Sequence, residues 1–122
     1  MNISVDDVLH SALNGLNLRQ QVTANNIANA DTPGFKAQTV NFEDQLSQAM
    51  QESNGNSATF AAEAQPVVQQ NPSLSANQSQ NSVDMDQQLL IMSDTTMRYS
   101  AVSQTLAQRY ALYNAIVTDG KG

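Results

Sequence analysis

The chain has 122 residues, including 3 Phe, 3 Tyr, no Trp and no Cys, and its 11 acidic and 5 basic side chains give a net charge of -6. This length fits one domain with a thin core, the negative charge disfavours nucleic acid as a partner, and the lack of cysteine excludes disulfides and thiolate metal sites. We expect no cleaved secretory signal, because no basic and apolar leader opens the chain. We also expect no membrane span, because the longest apolar run is residues 89–92.

The first predicted element is an amphipathic helix over residues 5–30. Ser4 followed by Asp7 matches a capping box, in which a hydroxyl and a carboxylate satisfy backbone N–H groups at the helix start. Alternating spacings of four and three place a mostly apolar stripe along one side, as in a coiled coil. The stripe consists of Leu9, Leu13, Leu16, Gln20, Thr23, Ile27 and Ala30. Leu18 and Val22 lie on nearly the opposite side, so we expect a second apolar face that contacts other subunits.

A turn should follow this helix and begin an arm over residues 31–50. Pro33 presets φ and Gly34 accepts a positive φ, which is the pairing that a type II turn requires at its two central positions. Phe35 then places an aromatic anchor directly after the turn. Three residues that form helices poorly occupy the last turns of the predicted helix, where their amides predict hydrogen bonds to a neighbour. These residues are Asn25, Asn26 and Asn29.

The middle of the chain carries weaker signals. Residues 35–50 can form either one short helix or an extended arm with apolar anchors. Residues 51–81 are predicted to be an irregular loop, because 16 of these 31 residues are Gln, Asn or Ser. Residues 59–61 and 66–68 are strand-like, and they predict a small β-hairpin within that loop.

A second long helix is predicted over residues 84–117, and Asp84 should cap it. Its stripe consists of Met85, Leu89, Met92, Thr96, Tyr99, Ser103, Leu106, Tyr110, Tyr113 and Val117. A further apolar set lies on the opposite side, at Leu90, Met97, Ala101, Leu112 and Ile116. A short chain has little else with which to cover both faces of two long helices, so this excess of apolar surface indicates other subunits. The alternative is that residues 51–81 fold back over those faces.

Catalytic, cofactor and metal sites find little support in the sequence. His10 is the only histidine, and its position early in a capped helix favours a solvated or interface side chain. Asp84 and Asp86 imitate the start of a calcium loop, but Gln88 and Leu89 stand where an oxygen ligand and a glycine would be needed. We therefore predict a protein that is not an enzyme and that has no cofactor.

Residues 25–36 read Asn-Asn-Ile-Ala-Asn-Ala-Asp-Thr-Pro-Gly-Phe-Lys, which resembles the N-terminal signature of the bacterial flagellar axial proteins of the rod, hook and hook-filament junction. The resemblance implies a mainly α fold, in which the two long helices pair as an antiparallel coiled coil and pack into a helical tube. The short middle segment is similar to that of the proximal rod proteins. Residues 83–86, 97–99 and 106–110 resemble two short siblings among them, and one of the two more closely.

By this resemblance the chain is a structural subunit of the proximal rod, which polymerises into a drive shaft and transmits torque. Its implied partners are copies of itself, other rod proteins, membrane-ring and adaptor components at the rod base, and the type III export apparatus through which it passes unfolded. The implied location is the periplasmic rod of the basal body. We also expect the isolated chain to order its ends only on assembly, because two helices alone recover little of the entropy that folding removes.

A soluble helical adaptor or secretion chaperone that binds one partner helix remains the alternative from a different class. The two hypotheses differ in stoichiometry, because an adaptor forms a small closed complex whereas a tube subunit contacts many copies. The predicted assembly interface comprises Leu9, Leu13, Leu16, Leu18, Val22, Asn25, Asn26, Asn29, Pro33, Gly34, Phe35, Leu89, Leu90, Met97, Tyr99, Leu106, Tyr110, Leu112, Tyr113 and Ile116.

Overall fold

The computed structural model describes residues 2–70 and 81–120 and shows two long helices with a small α/β insertion between them. In chain order the elements are α1 (Val5–Ala28), β1 (Gln38–Asn41), α2 (Glu43–Glu52), α3 (Ser57–Glu63), β2 (Val67–Gln70) and α4 (Met85–Asp119). Contacts between early residues of α1 and late residues of α4, such as Asp6 with Arg109, show that the two helices run antiparallel. The predicted mainly α fold with paired terminal helices is therefore confirmed.

The capping signals at both helix starts are confirmed. The Asp7 backbone N–H donates to Ser4 Oγ at 3.1 Å, and the Ser4 backbone N–H donates to Asp7 Oδ2 at 2.8 Å. The Ser4 hydroxyl also donates to Asp7 Oδ2 at 2.9 Å, and the hydrogen bonds that the Ser4 backbone and side chain donate to this carboxylate hold the pKa of Asp7 below its usual value. At α4, the Gln87 backbone N–H donates to the Asp84 carboxylate at 3.3 Å. Both long helices thus begin where the sequence predicts.

Helix α1 ends at Ala28, two residues before the predicted end, and a turn follows. The Asn29 backbone N–H donates to the carbonyls of both Asn25 and Asn26, which tightens the final turn of the helix. The Phe35 backbone N–H then donates to the Thr32 carbonyl at 3.3 Å, and Gly34 has a φ of 73° between them. This geometry places a positive φ at the position where the predicted type II turn requires it.

The prediction of an irregular loop over residues 51–81 is wrong for residues 51–70. Helix α2 continues to residue 52, and α3 covers residues 59–61, which were predicted to be strand-like. Asn54 and Gly55 adopt positive φ values of 49° and 81° and reverse the chain, and the Asn56 side chain then caps α3. Residues 71–80, the rest of the predicted loop, lie outside the described residues.

The predicted small β-hairpin is present as a two-stranded antiparallel sheet. Its second strand lies close to the predicted residues 66–68, but the strand with which it pairs is β1 and not residues 59–61. Strand β1 pairs with β2, with Gln38 opposite Gln70 and Asn41 opposite Val67. Val67 and Val68 were correctly predicted as strand. Residues 35–50 contain both predicted possibilities in turn, since β1 is extended and α2 is helical.

The second apolar face of α1 is covered within the chain, which corrects the expectation that Leu18 and Val22 contact other subunits. Val22 is buried in one cluster with Val40 and Phe42, and Leu18 packs against that cluster. The cover therefore comes from β1 and the residue after it. It does not come from residues 51–70, which were the alternative source.

A smaller cluster closes the start of α1. Ala49 of α2, Phe60 of α3 and the adjacent Ala64 are buried together, with Ile3 and Val8 packed against them. Phe60 is the largest apolar side chain that is fully buried. The insertion thus contributes its own core and fixes the N-terminal end of the helix pair.

The side of α4 that is buried agrees with the predicted stripe at some positions and is shifted by one residue at others. Tyr99 and Leu106 face α1 as predicted, but the other buried positions are Gln88 and Thr95, one residue before the predicted Leu89 and Thr96. Six stripe residues are exposed: Met85, Leu89, Thr96, Tyr110, Tyr113 and Val117. Counting apolar residues missed Gln88 because its polar side chain finds a partner, Asn26, on α1.

Across residues 2–70 and 81–120, none of the helices combines the length and the hydropathy that crossing a lipid bilayer demands.

Candidate assembly interface

Asn26 joins α1, β1 and α4 near one end of the seam between the long helices. Its side chain is completely buried, and Nδ2 donates to the Gln38 carbonyl at 2.7 Å and to Gln88 Oε1 at 2.9 Å. The Gln38 backbone N–H donates in turn to Asn26 Oδ1 at 3.0 Å. The carboxamide thereby satisfies both backbone groups of Gln38, as a neighbouring strand would. The amide that we predicted to bind a neighbour is used inside the chain.

Two further polar pairs hold the other end of the seam. Arg109 Nε lies 2.5 Å from Asp6 Oδ1, and this hydrogen bond raises the pKa of the Arg109 guanidinium. His10 Nε2 lies 2.8 Å from the Tyr110 hydroxyl, so the single histidine forms an exposed contact between the helices. Pairs at both ends of the seam set which residue of α4 lies beside each residue of α1.

Arg19 of α1 binds the insertion where β1 is followed by α2. Its guanidinium donates two hydrogen bonds to the Glu43 carboxylate, at 2.8 and 2.7 Å, and one to the Val40 carbonyl at 3.0 Å. It also lies over the Phe42 ring at 4.6 Å. Partial burial alone would raise the pKa of Glu43, but the bonds and charge of Arg19 lower it. The junction of β1 and α2 is therefore held against α1 by charge and by packing.

Gly15 allows Phe42 to lie directly on the α1 backbone. A Cβ atom at Gly15 would stand 2.3 Å from Phe42 Cγ and 2.7 Å from Phe42 Cβ, far inside normal contact. A glycine in a helix costs up to about 1 kcal/mol relative to alanine, so its presence here reflects the close approach. The covered face of α1 depends on this missing side chain.

The turn after α1 is held by residues that precede α4. Asn81 Nδ2 donates to the carbonyls of Asn29 and Thr32, at 2.6 and 2.7 Å. Ser82 Oγ accepts the Ala37 backbone N–H at 2.8 Å. The signature segment thus forms the closed end of the helix pair, where the chain leaves α1 and returns into α4.

We define the outer face of α4 by five exposed residues: Leu90, Met97, Ala101, Leu112 and Ile116. Leu90 is 71% exposed, Met97 is 66% exposed and Leu112 is 60% exposed. At about 100° per residue these positions lie within a sector about 100° wide and form one strip, which the polar side chains of Asp94, Arg98 and Gln108 interrupt. Large apolar side chains rarely form such a strip on a monomer surface, and a strip of this kind marks an interaction site.

Helix α4 also extends beyond the start of α1. Tyr113 hydroxyl lies 3.4 Å from Asp6 Oδ2, which places residue 113 beside the first turn of α1. Residues 114–119 continue past that point for roughly 9 Å at about 1.5 Å per residue. Ile116 and Val117 in this overhang are 61% and 59% exposed. We call residues 110–119 the overhang; Tyr110 and Tyr113 in its first turn still contact His10 and Asp6 of α1, and each of its residues is exposed.

At the other end of α4 a groove of about 520 Å³ opens between α1, β1 and α4. Its walls carry Val22, Val40, Leu90 and Ile91, together with Thr95. The Thr95 side chain is fully buried, and its hydroxyl has no hydrogen-bond partner within residues 2–70 and 81–120. The groove therefore presents a mainly apolar surface.

The predicted interface residues fall into three groups. Four are buried inside the chain: Leu16, Val22, Asn26 and Leu106. Seven are half-buried: Leu9, Leu13, Leu18, Asn29, Gly34, Phe35 and Tyr99. Nine are exposed: Asn25, Pro33, Leu89, Leu90, Met97, Tyr110, Leu112, Tyr113 and Ile116. The buried group holds the single chain together, and the exposed group remains the predicted contact surface.

Sequence reasoning missed the roles of Gly15, Arg19, Gln88 and Thr95, and the last three lack a local pattern. Gly15 in a helix was a detectable signal, because an interior glycine often marks a close approach. Arg19 and Gln88 act through partners 24 and 62 positions away along the chain. Such pairings become visible only after the chain has folded.

The sequence of this chain is similar to those of a known protein family. Residues 7–36 match the family model described as flagella basal body rod protein. The chain is 27% identical over 119 residues to the flagellar basal body rod protein FlgB of Bacillus subtilis, covering 93% of this chain and 92% of the relative.

Two enterobacterial relatives are more similar over a shorter part. FlgB of Escherichia coli K12 is 32% identical over 116 residues, covering 78% of this chain and 81% of the relative. FlgB of Proteus mirabilis is 33% identical over 104 residues, covering 74% and 76%. The predicted resemblance to flagellar axial proteins is confirmed. Of the two short siblings, FlgB and FlgC, the sequence resembles FlgB more closely, and FlgB is the name that these relatives carry. This chain belongs to the FlgB family of flagellar basal body rod proteins.

Proposed function

We propose that the chain is a structural subunit of the proximal flagellar rod, and that it polymerises through the outer face of α4. The observation that carries this proposal is the exposure of Leu90, Met97 and Leu112 on one strip of a helix whose other side is packed against α1. In a subunit that stayed alone, this strip would remain in contact with water at a cost that burial removes.

The packed seam supports a role in transmitting torque. Asp6 with Arg109 and Asn26 with Gln88 join the two long helices near opposite ends, so sliding of one helix along the other would break buried or charged hydrogen bonds. A subunit whose internal register resists sliding passes a twisting load to its neighbours. Nothing in this role requires a catalytic residue, and we propose no enzymatic activity.

Family membership supports the remaining parts of the proposal. The rod lies in the basal body, and we propose that this chain occupies its periplasmic part after export through the type III apparatus. Its partners there would be copies of itself and other rod proteins. At the rod base it would meet the membrane-ring and adaptor components.

The test is to measure the size and shape of the purified chain by light scattering and electron microscopy, alone and with other rod proteins. We expect elongated assemblies that grow with concentration. Met97→Glu should abolish them, because it places a charge in the centre of the outer face. The control is Ala62→Glu, which adds the same charge at an exposed position of α3.

Loss of assembly in both variants would contradict a role for the outer face. A small complex of fixed stoichiometry, unchanged by concentration, would favour the helical adaptor instead. In cells that lack the native rod protein, the Met97→Glu chain should fail to restore motility, whereas the Ala62→Glu chain should restore it.

A further inference from the structure

The groove beside β1 and the overhang of α4 are two apolar surfaces of one chain that cannot meet each other. Ile91 lines the groove and Ile116 lies in the overhang, 25 positions later on the same helix. At about 1.5 Å per residue they are about 38 Å apart along a rigid axis. Any contact between such surfaces must therefore join two copies of the chain.

The chemistry of the groove specifies an uncharged, apolar occupant. Two charged side chains line the groove, and both already have partners: Arg19 is paired with Glu43, and Asp94 lies 2.8 Å from Arg98. The remaining walls are apolar or uncharged. A charged occupant would have to compete with these existing pairs or lose its hydration without compensation.

The overhang has the matching chemistry and shape. Asp119 is the one charged residue of the overhang, and residues 110–118 before it are uncharged. Leu112, Ile116 and Val117 project from a sector roughly 140° wide. Among the described residues, residues 114–119 continue beyond the contacts of Tyr110 and Tyr113 with α1, so this part is a single helix about 10 Å across. An apolar helix end that projects beyond its partner helix can enter a groove between two helices and a strand.

We propose that the overhang of one copy docks in the groove of the next, so that the chain joins head to tail. This inference rests on the proposed rod function and names the contact that would build the polymer. The two surfaces differ and lie at opposite ends of the helix pair, so the contact is heterologous. A heterologous contact that does not close into a ring generates an open filament with a direction, as a rod requires.

The absence of cysteine makes a direct test possible, because engineered thiols have no competitors. Leu90→Cys and Ile116→Cys are placed on separate chains, mixed under conditions in which assemblies form, and oxidised. We expect a disulfide-linked dimer in the mixture and none with either chain alone. One chain that carries both substitutions should give a ladder of multimers on a denaturing gel.

The control pair is Ala62→Cys with Ile116→Cys, which reports random collisions between exposed thiols. The groove pair should cross-link about tenfold faster than this control, because docking raises the local concentration of the two thiols. Strong cross-linking of the Leu90→Cys chain with itself would overturn the inference, since it would show two outer faces packed symmetrically.

Three outcomes separate this inference from the proposed function. If assemblies form but the groove pair links no faster than the control, the head-to-tail contact is wrong and the structural role stands. If Ile116→Cys cross-links in isolated basal bodies only to a different rod protein, the second copy is the wrong occupant. If the chain remains a monomer with every rod protein tested, the proposed function fails.

Discussion

The two long helices of this chain differ in how their second faces are treated. On α1, Leu18 and Val22 are covered by β1 and by Phe42, which lies against the backbone at Gly15. On α4, Leu90 and Met97 on the corresponding outer face remain more than 60% exposed. The insertion of this small protein therefore completes one helix and leaves the other open. Under the proposed function, the covered face of α1 stabilises the subunit and the open face of α4 is available for assembly.

The sharpest test of this contrast compares two leucines of α4. Leu106 is 4% exposed and Leu112 is 60% exposed. Leu106→Asp should cost at least about 3 kcal/mol of unfolding free energy, because it loses core packing and buries a carboxylate. Leu112→Asp should change that free energy by no more than about 0.5 kcal/mol while abolishing assembly. Urea denaturation of both variants measures the two values, and equal losses would remove the distinction between the faces.

Asn26 tests the junction where the covered face meets α4. Asn26→Ala should cost about 2–4 kcal/mol, because the Gln38 backbone and the Gln88 side chain are left unpaired in a buried place. Asn25→Ala is the matched control, since Asn25 is exposed one position earlier on the same helix. Thermal unfolding followed by circular dichroism compares the two. Similar midpoints for both variants would show that the Asn26 bonds contribute nothing.

Gly15 gives a prediction in which packing opposes helix propensity. Gly15→Ala should destabilise the chain by about 1–3 kcal/mol, because the new methyl group displaces Phe42 from α1. Asn14→Ala, at the exposed neighbouring position, should stabilise it by a few tenths of a kcal/mol. Denaturant titration of the pair reports the sign of each change. A stabilising Gly15→Ala would mean that Phe42 does not approach the helix in this way.

Acid should produce the smallest of these effects, at the start of α1. The pKa of Asp7 is lowered in the folded chain, so its stabilising contribution is present above its unfolded value near 3.8 and is lost as pH falls through the lower folded value. Asp7→Asn should flatten this part of the stability profile below pH 4. Unfolding midpoints measured between pH 3 and 6 for both chains provide the test. An unchanged pH dependence in Asp7→Asn would assign the effect to other carboxylates.

The parts of the fold that follow local rules were predictable. Three local features have partners within four residues, so their chemistry can be inferred from neighbouring residues in the sequence. They are the capping pair of Ser4 and Asp7, the cap at Asp84, and the turn at Pro33 and Gly34. The long period of apolar residues likewise indicated both helices.

The interior of the insertion was not predictable from composition. Residues 51–70 are rich in polar side chains, yet Phe60 with a few alanines is enough to anchor α3 against α2. The Asn54-Gly55 pair was a usable turn signal that composition obscured.

The orientation of α4 was only half predictable, for a physical reason. An apolar count treats Gln88, Thr95 and Arg109 as surface residues, but Gln88 and Arg109 turn inward because Asn26 and Asp6 satisfy them. Of the candidate interface, the exposed residues of α4 followed from the excess of apolar positions. The covered residues of α1 were misplaced because the covering strand has only four residues.

Hydrogen exchange on the free and the assembled chain tests the central claim most directly, because it reports each helix separately. Because α1 is packed within the chain, we revise for this helix the expectation that the isolated chain orders its ends only on assembly. In the free chain, we predict clear protection of the α1 amides over residues 12–26, where both faces are packed, and little protection over residues 110–119. On assembly, residues 110–119 should become protected, while residues 12–26 change little. The opposite result, with α1 unprotected until assembly and the overhang already protected in the free chain, would contradict the account.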